Sequence, residues 1–483
     1  MTCRNLLKRH WPLFLLGAVH AFFILWLFSS SIYQNGHMMN DINLFFKYAS
    51  KVLDGSLPYR DFTIEYPPLA LLFFTLPRLA AASAEAYRFA FAVEVLLFDL
   101  LGLVLSYALA QRLNINRRVT ISIYTILLLA AGPIIIYRFD IFPAVLVLAS
   151  LYFFSKQKYA TSWAILAVAA LTKLYPAVIA PIYLIYQLKN RKYRETIYGI
   201  VGFAVTTAAI IIPALLISPG GFLNSFTMQM NRGLHVEYTW SSFLLLAQNL
   251  GLTHASIRPT GPTPLSINLT SPTADMLARI SPLIILSVLL LIYVLFFLRI
   301  RREQAADQSG ISPVVNFSFL AVLGFLLSGN IFSPQFIIWL FPLAPLVTGR
   351  WRHFPWVFVL AACMLTYYLY PTHYNSFTGG DRGMVYVLLS RNLALMAAAV
   401  FLAIPGKADT AKAFFSRFHF RKWMAYATLV LLAVIIFGLQ LLFNINADAG
   451  GRGPGGMPGG RDPGGQPGFQ NSGPQSGGPP PGR

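Results

Sequence analysis

Long apolar runs alternate with short polar connections from the start of the chain to about residue 444. A helix crosses a bilayer core of about 30 Å with about 20 apolar residues. On that measure the pattern predicts spans over 11–32, 85–110, 119–137, 139–154, 160–173, 175–188, 196–217, 279–300, 313–328, 332–348, 355–370, 384–404 and 423–444. Several are too short for the full thickness and stop at "RFD" or "KLYP", as half-length hairpins lining a cavity do. Residues 66–80, "YPPLALLFFTLPRLA", are apolar but short and bracketed by prolines. They read as a juxtamembrane or re-entrant helix, because a crossing there would put Arg112, Arg117 and Arg118 outside. Just before them, Ile42, Leu44, Phe45, Phe46, Val52 and Leu53 form the apolar positions of an amphipathic helix. Asp41 falls near the start of that helix, where a carboxylate suits the helix dipole. Fold class follows: an all-α polytopic membrane protein of about 12–13 transmembrane helices, with juxtamembrane helices in the first outer loop. This domain covers residues 1–446; residues 447–483 are a Gly/Pro-rich tail that cannot bury a core and is expected to be disordered.

Composition supports this reading. Of 483 residues, 56% are hydrophobic and only 11% charged, against about 25% charged in soluble domains. The net charge of +20 could suggest a nucleic-acid partner, but its placement argues otherwise. Of 37 Lys and Arg, 22 fall in short connections such as Arg112–Arg118, Lys156–Lys158, Lys189–Arg194, Arg299–Arg302, Arg350–Arg352 and Lys407–Lys422. The positive-inside rule assigns those connections to the cytoplasm, so the basic balance reports topology and contact with anionic lipid. The N-terminus is then cytoplasmic, and the first span reads as uncleaved, because its apolar stretch exceeds a signal peptide's and no A-x-A site follows. Cys3 and Cys363 fall at different levels and form no disulfide framework, and no Cys or His spacing resembles a zinc site.

Counting spans puts residues 33–84, 218–278 and 371–383 outside, together with the C-terminal tail. The outer side thus collects Asp41, Asp61, Glu65, Arg138, Asp140, Lys173, His235 and Glu237. Six of them have a plain reading beside a functional one. Asp41 is a solvated helix cap, or a reactive carboxylate. Arg138 and Asp140, in "YRFDIFPAV", either fix a hairpin as a pair or meet an anion and a sugar hydroxyl, since charge near bilayer depth faces a cavity or a partner. Lys173, in "ALTKLYPAV", either snorkels to the interface or aims at phosphate. His235 and Glu237 are loop residues or ligand contacts. Glu94 and Asp99, deep in the second span, are functional candidates by depth, but read first as neutral acids hydrogen-bonded between helices.

Taken together, "DINLFFKYASKVLDGSLPYRDFTIEYPPLALL", "YRFDIFPAVLVLAS", "LTKLYPAVIAP" and "SPQFIIWLFPL" resemble the GT-C glycosyltransferases that use polyprenyl-phosphate sugars. They are most similar to glycosyltransferase family 87, the polyprenol-phosphate-mannose-dependent α-mannosyltransferase group. The resemblance spans roughly residues 33–345. It implies a GT-C-like helical bundle with a catalytic first outer loop and a cavity facing away from the cytoplasm. It also implies that Asp41 is the general base of an inverting transfer of a hexose, mannose first, to a hydroxyl of a glycolipid or glycan acceptor. Arg138 and Lys173 are then the donor-phosphate contacts, joined by His235 or Gln335; some relatives carry histidine in the segment where this chain has Gln335 and Phe336. Asp61, Glu65, Tyr66, Asp140 and Glu237 are left for sugar or acceptor. No D-x-D occurs, so a lipid-linked donor without cofactor or obligatory metal is expected. The partners are that donor, the acceptor and the bilayer of the plasma membrane, with no nucleic acid. A lipid-linked sugar transporter or flippase is the alternative; it predicts inverted repeats with broken helices at mid-membrane, and no internal symmetry is evident. A noncatalytic assembly factor leaves the outer acid–base cluster without a task.

Overall fold

A computed structural model of the chain describes residues 3–30, 36–230, 232–260, 266–305, 310–404 and positions 435, 436 and 438. The span expected over 423–444 and the tail over 447–483 lie outside the described residues, as does the basic group Lys407–Lys422.

The chain is essentially all-α and polytopic. In order come α1 (Cys3–Ser29), α2 (Gly36–Leu53), α3 (Ala70–Leu79), α4 (Ala84–Arg112), α5 (Arg117–Ala131), α6 (Ile141–Ser155), α7 (Tyr159–Thr172), α8 (Ala180–Lys189), α9 (Tyr193–Ile217) and α10 (Pro219–Met230). Then follow β1 (Leu234–His235), α11 (Thr239–Asn249), β2 (Ser256–Thr260), β3 (Ser266–Thr270), α12 (Pro272–Ala305), α13 (Ser312–Ser328), α14 (His353–Tyr367), α15 (Tyr374–Thr378) and α16 (Arg382–Ala403). Among the described residues, seven helices are long and apolar enough to cross a membrane: α1, α4, α5 with its 3-10 extension to Ile135, α9, α12, α14 with its extension to Thr372, and α16. The expected spans over 139–154, 160–173 and 313–328 are the shorter helices α6, α7 and α13. The span expected over 175–188 is a 3-10 turn, Tyr175–Ile179, leading into α8.

Local chemistry explains where the helices begin and stop. The Ser83 hydroxyl accepts from the Ala86 N–H at the start of α4, and Asn116 Oδ1 accepts from the Arg118 and Val119 N–H groups at the start of α5. Such caps satisfy N–H groups that have no partner within the helix. Gly132, at φ +64°, ends α5 just before Pro133.

Two expectations need correction. The segment 332–348 is not a continuous helix but two 3-10 turns, Pro334–Trp339 and Ala344–Leu346. Pro334, Pro342 and Pro345 each remove an N–H and obstruct the preceding turn, which a full α-helix does not tolerate. Asp41 is not at the N-terminus of its helix: α2 begins at Gly36 and has no acid in its first turn. The dipole account of Asp41 therefore fails, and its side chain is held by a specific partner described below.

The segment 218–278, expected only as an outer loop, contains a three-stranded antiparallel sheet in the order β1-β3-β2. Leu234 lies opposite Leu269, and Ser256 opposite Thr270. The basic connections gather at one end of the bundle. Arg112 Nη2 donates to the Ser155 carbonyl at 2.8 Å, and Lys192 Nζ donates to the Tyr159 hydroxyl at 2.7 Å. These contacts tie three successive basic turns together. Alternating helix direction then sends α1–α2, α5–α6, α7–α8 and α13–Pro334 to the other end.

Inside the bundle, Asp99 of α4 is buried and joined to α1 and α5. His20 Nδ1 lies 2.5 Å from Asp99 Oδ2, the Tyr124 hydroxyl donates to Asp99 Oδ1 at 3.1 Å, and His20 Nε2 lies 2.8 Å from the Thr125 hydroxyl. The expected hydrogen bond between helices is present for Asp99. Glu94 differs: both carboxylate oxygens are buried with no hydrogen-bond partner among the described residues.

Candidate active site

At the end opposite the basic connections, a cavity of about 390 Å³ opens among Asp41, Glu65, Tyr66, Arg138, Lys173, Arg232, His235, Gln335, Tyr370 and Tyr374. Its lining also includes the apolar side chains of Phe226, Ile285, Phe325, Leu326 and Ile331. Arg138, Lys173, His235 and Gln335 stand where a helix or strand ends or in the 3-10 turns between helices, while Asp41 projects from within α2. This is how half-length elements and broken backbone expose charge without stranding it in lipid.

Asp41 and Arg138 form the centre. Arg138 Nε lies 3.0 Å from Asp41 Oδ2, with the Arg138 side chain 8% exposed and that of Asp41 29% exposed. Arg138 Nη1 donates to the Tyr137 carbonyl at 2.8 Å and Nη2 to the Tyr370 hydroxyl at 2.9 Å. The guanidinium is therefore fixed in three directions, and it fixes the carboxylate in turn. One of the two readings paired Arg138 with Asp140. Asp140 instead turns away from the cavity and accepts from Lys173 Nζ at 2.5 Å and from Trp339 Nε1 at 2.6 Å, both at Oδ1. It is fully buried and is absent from the lining, so it anchors Lys173 where a sugar contact was expected. Lys173 does not snorkel to the surface. Its ammonium lies 4.6 Å from the Phe139 ring centre, 4.8 Å from that of Phe336 and 5.3 Å from that of Trp339, a cation–π cage that orients it towards the cavity.

Glu65 lines the cavity and pairs with Arg232. Burial raises the Glu65 carboxyl above its ordinary range, against the opposing pull of Arg232. Tyr66 packs its ring edge-on against Phe45, Phe74 and Phe139, which places it between the interfacial helix and the Arg138 turn. Gln335 lies in the rim beside Ser333 and Phe336.

His235 reaches the cavity but is committed to its own strand. The Glu237 N–H donates to Nδ1 at 3.3 Å, and the ring also bonds the Phe332 backbone. Burial, with Arg391 and Arg232 nearby, lowers its pKa to about 3, so it is neutral at physiological pH. That environment disfavours the cationic form of His235, so its contact to a phosphate would be that of a neutral imidazole. His235→Gln, which keeps a donor and an acceptor, should leave the pH profile of turnover unchanged between about pH 5 and 8. Loss of a limb of that profile in the variant would show that the ring titrates there.

Two further expected contacts are not in the cavity. Asp61 is exposed at a turn, where its carboxylate accepts from Arg60 at 2.8 and 3.1 Å and from the Leu57 N–H at 2.7 Å. Glu237 is buried and accepts from Arg391 Nη1 at 2.7 Å, while Arg391 Nη2 bonds the Glu237 carbonyl. Burial pushes the Glu237 carboxyl up to about 7, against the pull of Arg391. The pair ties the cavity loop to α16. Arg391→Ala would leave that carboxyl buried without its partner, and should reduce stability by about 3–5 kcal/mol. Thermal unfolding in detergent measures this. An unchanged midpoint would mean the pair is dispensable.

Arg232, Trp339, Tyr370, Tyr374 and Arg391 were not singled out from the residues. Arg232 carried a signal, a basic residue on a side otherwise poor in them. Tyr370 and Arg391 carried none, because their contacts join segments 232 and 154 positions apart.

This is a polytopic helical protein with a charged cavity at one end, and residues 62–329, more than half the chain, match glycosyltransferase family 87. The chain belongs to that family and is a membrane glycosyltransferase. The matched stretch contains Glu65, Arg138, Lys173, Arg232 and His235; Asp41, Gln335 and Tyr370 fall outside it. Two solved structures of ArnT from Cupriavidus metallidurans are similar in outline. The apo form is 13% identical, with a TM-score of 0.41 over 75% of this chain and 71% of that one. The form bound to undecaprenyl phosphate is 14% identical, with a TM-score of 0.41 over 80% and 76%. No curated protein matches the chain.

Proposed function

We propose that this glycosyltransferase has a GT-C-like mechanism and moves a hexose, mannose first among candidates, from a polyprenyl-phosphate donor to a hydroxyl of a glycolipid or glycan. The reaction takes place at the extracytoplasmic face of the plasma membrane and inverts the anomeric carbon. The observation that carries this reading is the ion pair of Asp41 and Arg138, 3.0 Å apart, in a cavity lined by both charged and apolar side chains. An isoprenoid phosphate needs both: cations for the phosphate and hydrocarbon for the chain.

In the proposed step the acceptor hydroxyl stands beside Asp41 and gives its proton to the carboxylate as its oxygen attacks the anomeric carbon. The new C–O bond forms on one side while the bond to the phosphate oxygen breaks on the other. The electron pair of that bond leaves on the lipid phosphate, whose growing charge Arg138, Lys173 and Arg232 stabilise. A single displacement with one base gives inversion, and these cations supply the neutralisation without an obligatory metal. Tyr66, Glu65 and Gln335 remain as the contacts for sugar or acceptor hydroxyls. The positive-inside rule assigns the basic end to the cytoplasm and the cavity to the outside.

Purified protein in vesicles, given polyprenyl-phosphate mannose, glucose or pentose with a glycolipid acceptor, tests the reading. Transfer from one lipid-linked donor with anomeric inversion is expected. Transfer only from nucleotide sugars, or retention of configuration, would overturn it.

A further inference from the structure

A second pocket lies at the opposite end of the molecule, among the basic connections. We infer that it binds the phosphate head group of an anionic membrane phospholipid. The pocket encloses about 160 Å³ between the end of α12, the start of α13, the turn before α14 and the end of α16. Arg299, Arg302 and Arg350 line it, and its described lining contains no Asp or Glu.

The walls are built to stay open. Asn316 of α13 clamps the turn before α14: its Nδ2 donates to the Thr348 carbonyl at 3.1 Å, and its Oδ1 accepts from the Thr348 N–H at 3.0 Å. Gly349 then reverses the chain at φ +99°, a conformation that favours glycine. This brings Arg350 round to stack on Trp351, with the guanidinium carbon 4.4 Å from the ring centre. Arg350 Nε is buried there with no hydrogen-bond partner among the described residues.

Apolar surface decides between a lipid and a free anion. The pocket continues into Leu298, 41% exposed, and Ile404, 46% exposed. Higher on the same two helices, Leu291 and Val400 are also exposed. A phosphate seated among the arginines therefore leaves its acyl chains lying along α12 and α16. Basic pockets between transmembrane helices at the cytoplasmic side recognise anionic head groups in this way. The site is separate from the sugar-transfer cavity and does not depend on the donor assigned there.

The test uses full-length protein in detergent, with lipid binding read by native mass spectrometry. The probes are dioctanoyl-phosphatidylglycerol, dioctanoyl-phosphatidylcholine and inorganic phosphate. Wild type should bind the glycerol lipid in preference to the choline lipid, and inorganic phosphate should not displace it at matched concentration. The variant Arg299→Gln/Arg350→Gln should weaken binding roughly 20-fold, near fivefold for each arginine removed. The control Lys158→Gln/Arg194→Gln, exposed at the same end but outside the pocket, should bind as wild type. Retained sugar transfer by both variants shows that they fold. Equal loss in both variants would reduce the effect to diffuse surface charge and overturn the proposal. Equal binding of the two lipids, or displacement by inorganic phosphate, would also overturn it.

Discussion

Asp41→Asn should lower turnover by about 10²- to 10⁴-fold while the protein still binds donor. The amide preserves the shape of the carboxylate and can still accept a hydrogen bond from Arg138 through its oxygen. It cannot take a proton from an acceptor hydroxyl, so the deficit falls on kcat. Single-turnover transfer with saturating donor separates this from weaker binding. Wild-type turnover in the variant would remove Asp41 from the chemistry and leave Glu65 as the other carboxylate lining the cavity. That outcome would also agree with the raised pKa of Glu65, since a carboxyl shifted towards neutrality is a better base when it ionises.

Arg138→Ala should have the next largest effect, a fall of roughly 10²- to 10³-fold in kcat/KM. Unlike the Asp41 variant, it should also weaken donor binding. Arg138 is held by Asp41, the Tyr137 carbonyl and the Tyr370 hydroxyl. Truncation therefore removes a charge near the leaving phosphate and frees the carboxylate at once. Arg138→Lys should recover only part of the loss, because an ammonium cannot reach three partners in the geometry of a planar fork. Full recovery by lysine would mean that charge alone matters there. Unchanged donor affinity in Arg138→Ala would move phosphate binding to Lys173 or Arg232.

Much of the fold was legible because hydropathy reports spans directly. Apart from 175–188 and 332–348, the long apolar runs from Trp11 to Ala403 appear as helices near their expected bounds, and proline pairs marked the juxtamembrane α3. The prolines at 334, 342 and 345 break the segment 332–348, which its apolar content alone read as a span. The sheet was not legible, since β1 is two residues long and gains its partners from β3 across a distant stretch of chain.

In the site, helix alternation brought Asp41, Glu65, Arg138, Lys173 and His235 to one cavity, as the parity of spans predicts. Pairing was harder to read. The "RFD" turn suggests that Arg138 and Asp140 answer each other, yet two residues apart at a turn they point to different neighbours. Asp140 goes inward to Lys173 and Arg138 outward to Asp41. Side-chain direction at a turn depends on backbone angles that residue order does not reveal. Asp61 misled for a similar reason: a neighbouring arginine and a local N–H already account for it.

Each cation lining the cavity already faces a carboxylate: Arg138 with Asp41, Lys173 with Asp140, Arg232 with Glu65. Such a balanced vestibule projects little field beyond its mouth, so ionic strength has scant leverage over first encounter. Under the proposed function, a lipid carrier would come by sideways diffusion and be recognised on contact, its anionic group trading places with a resident acid, and the exchange that admits it would be the one that loosens Asp41.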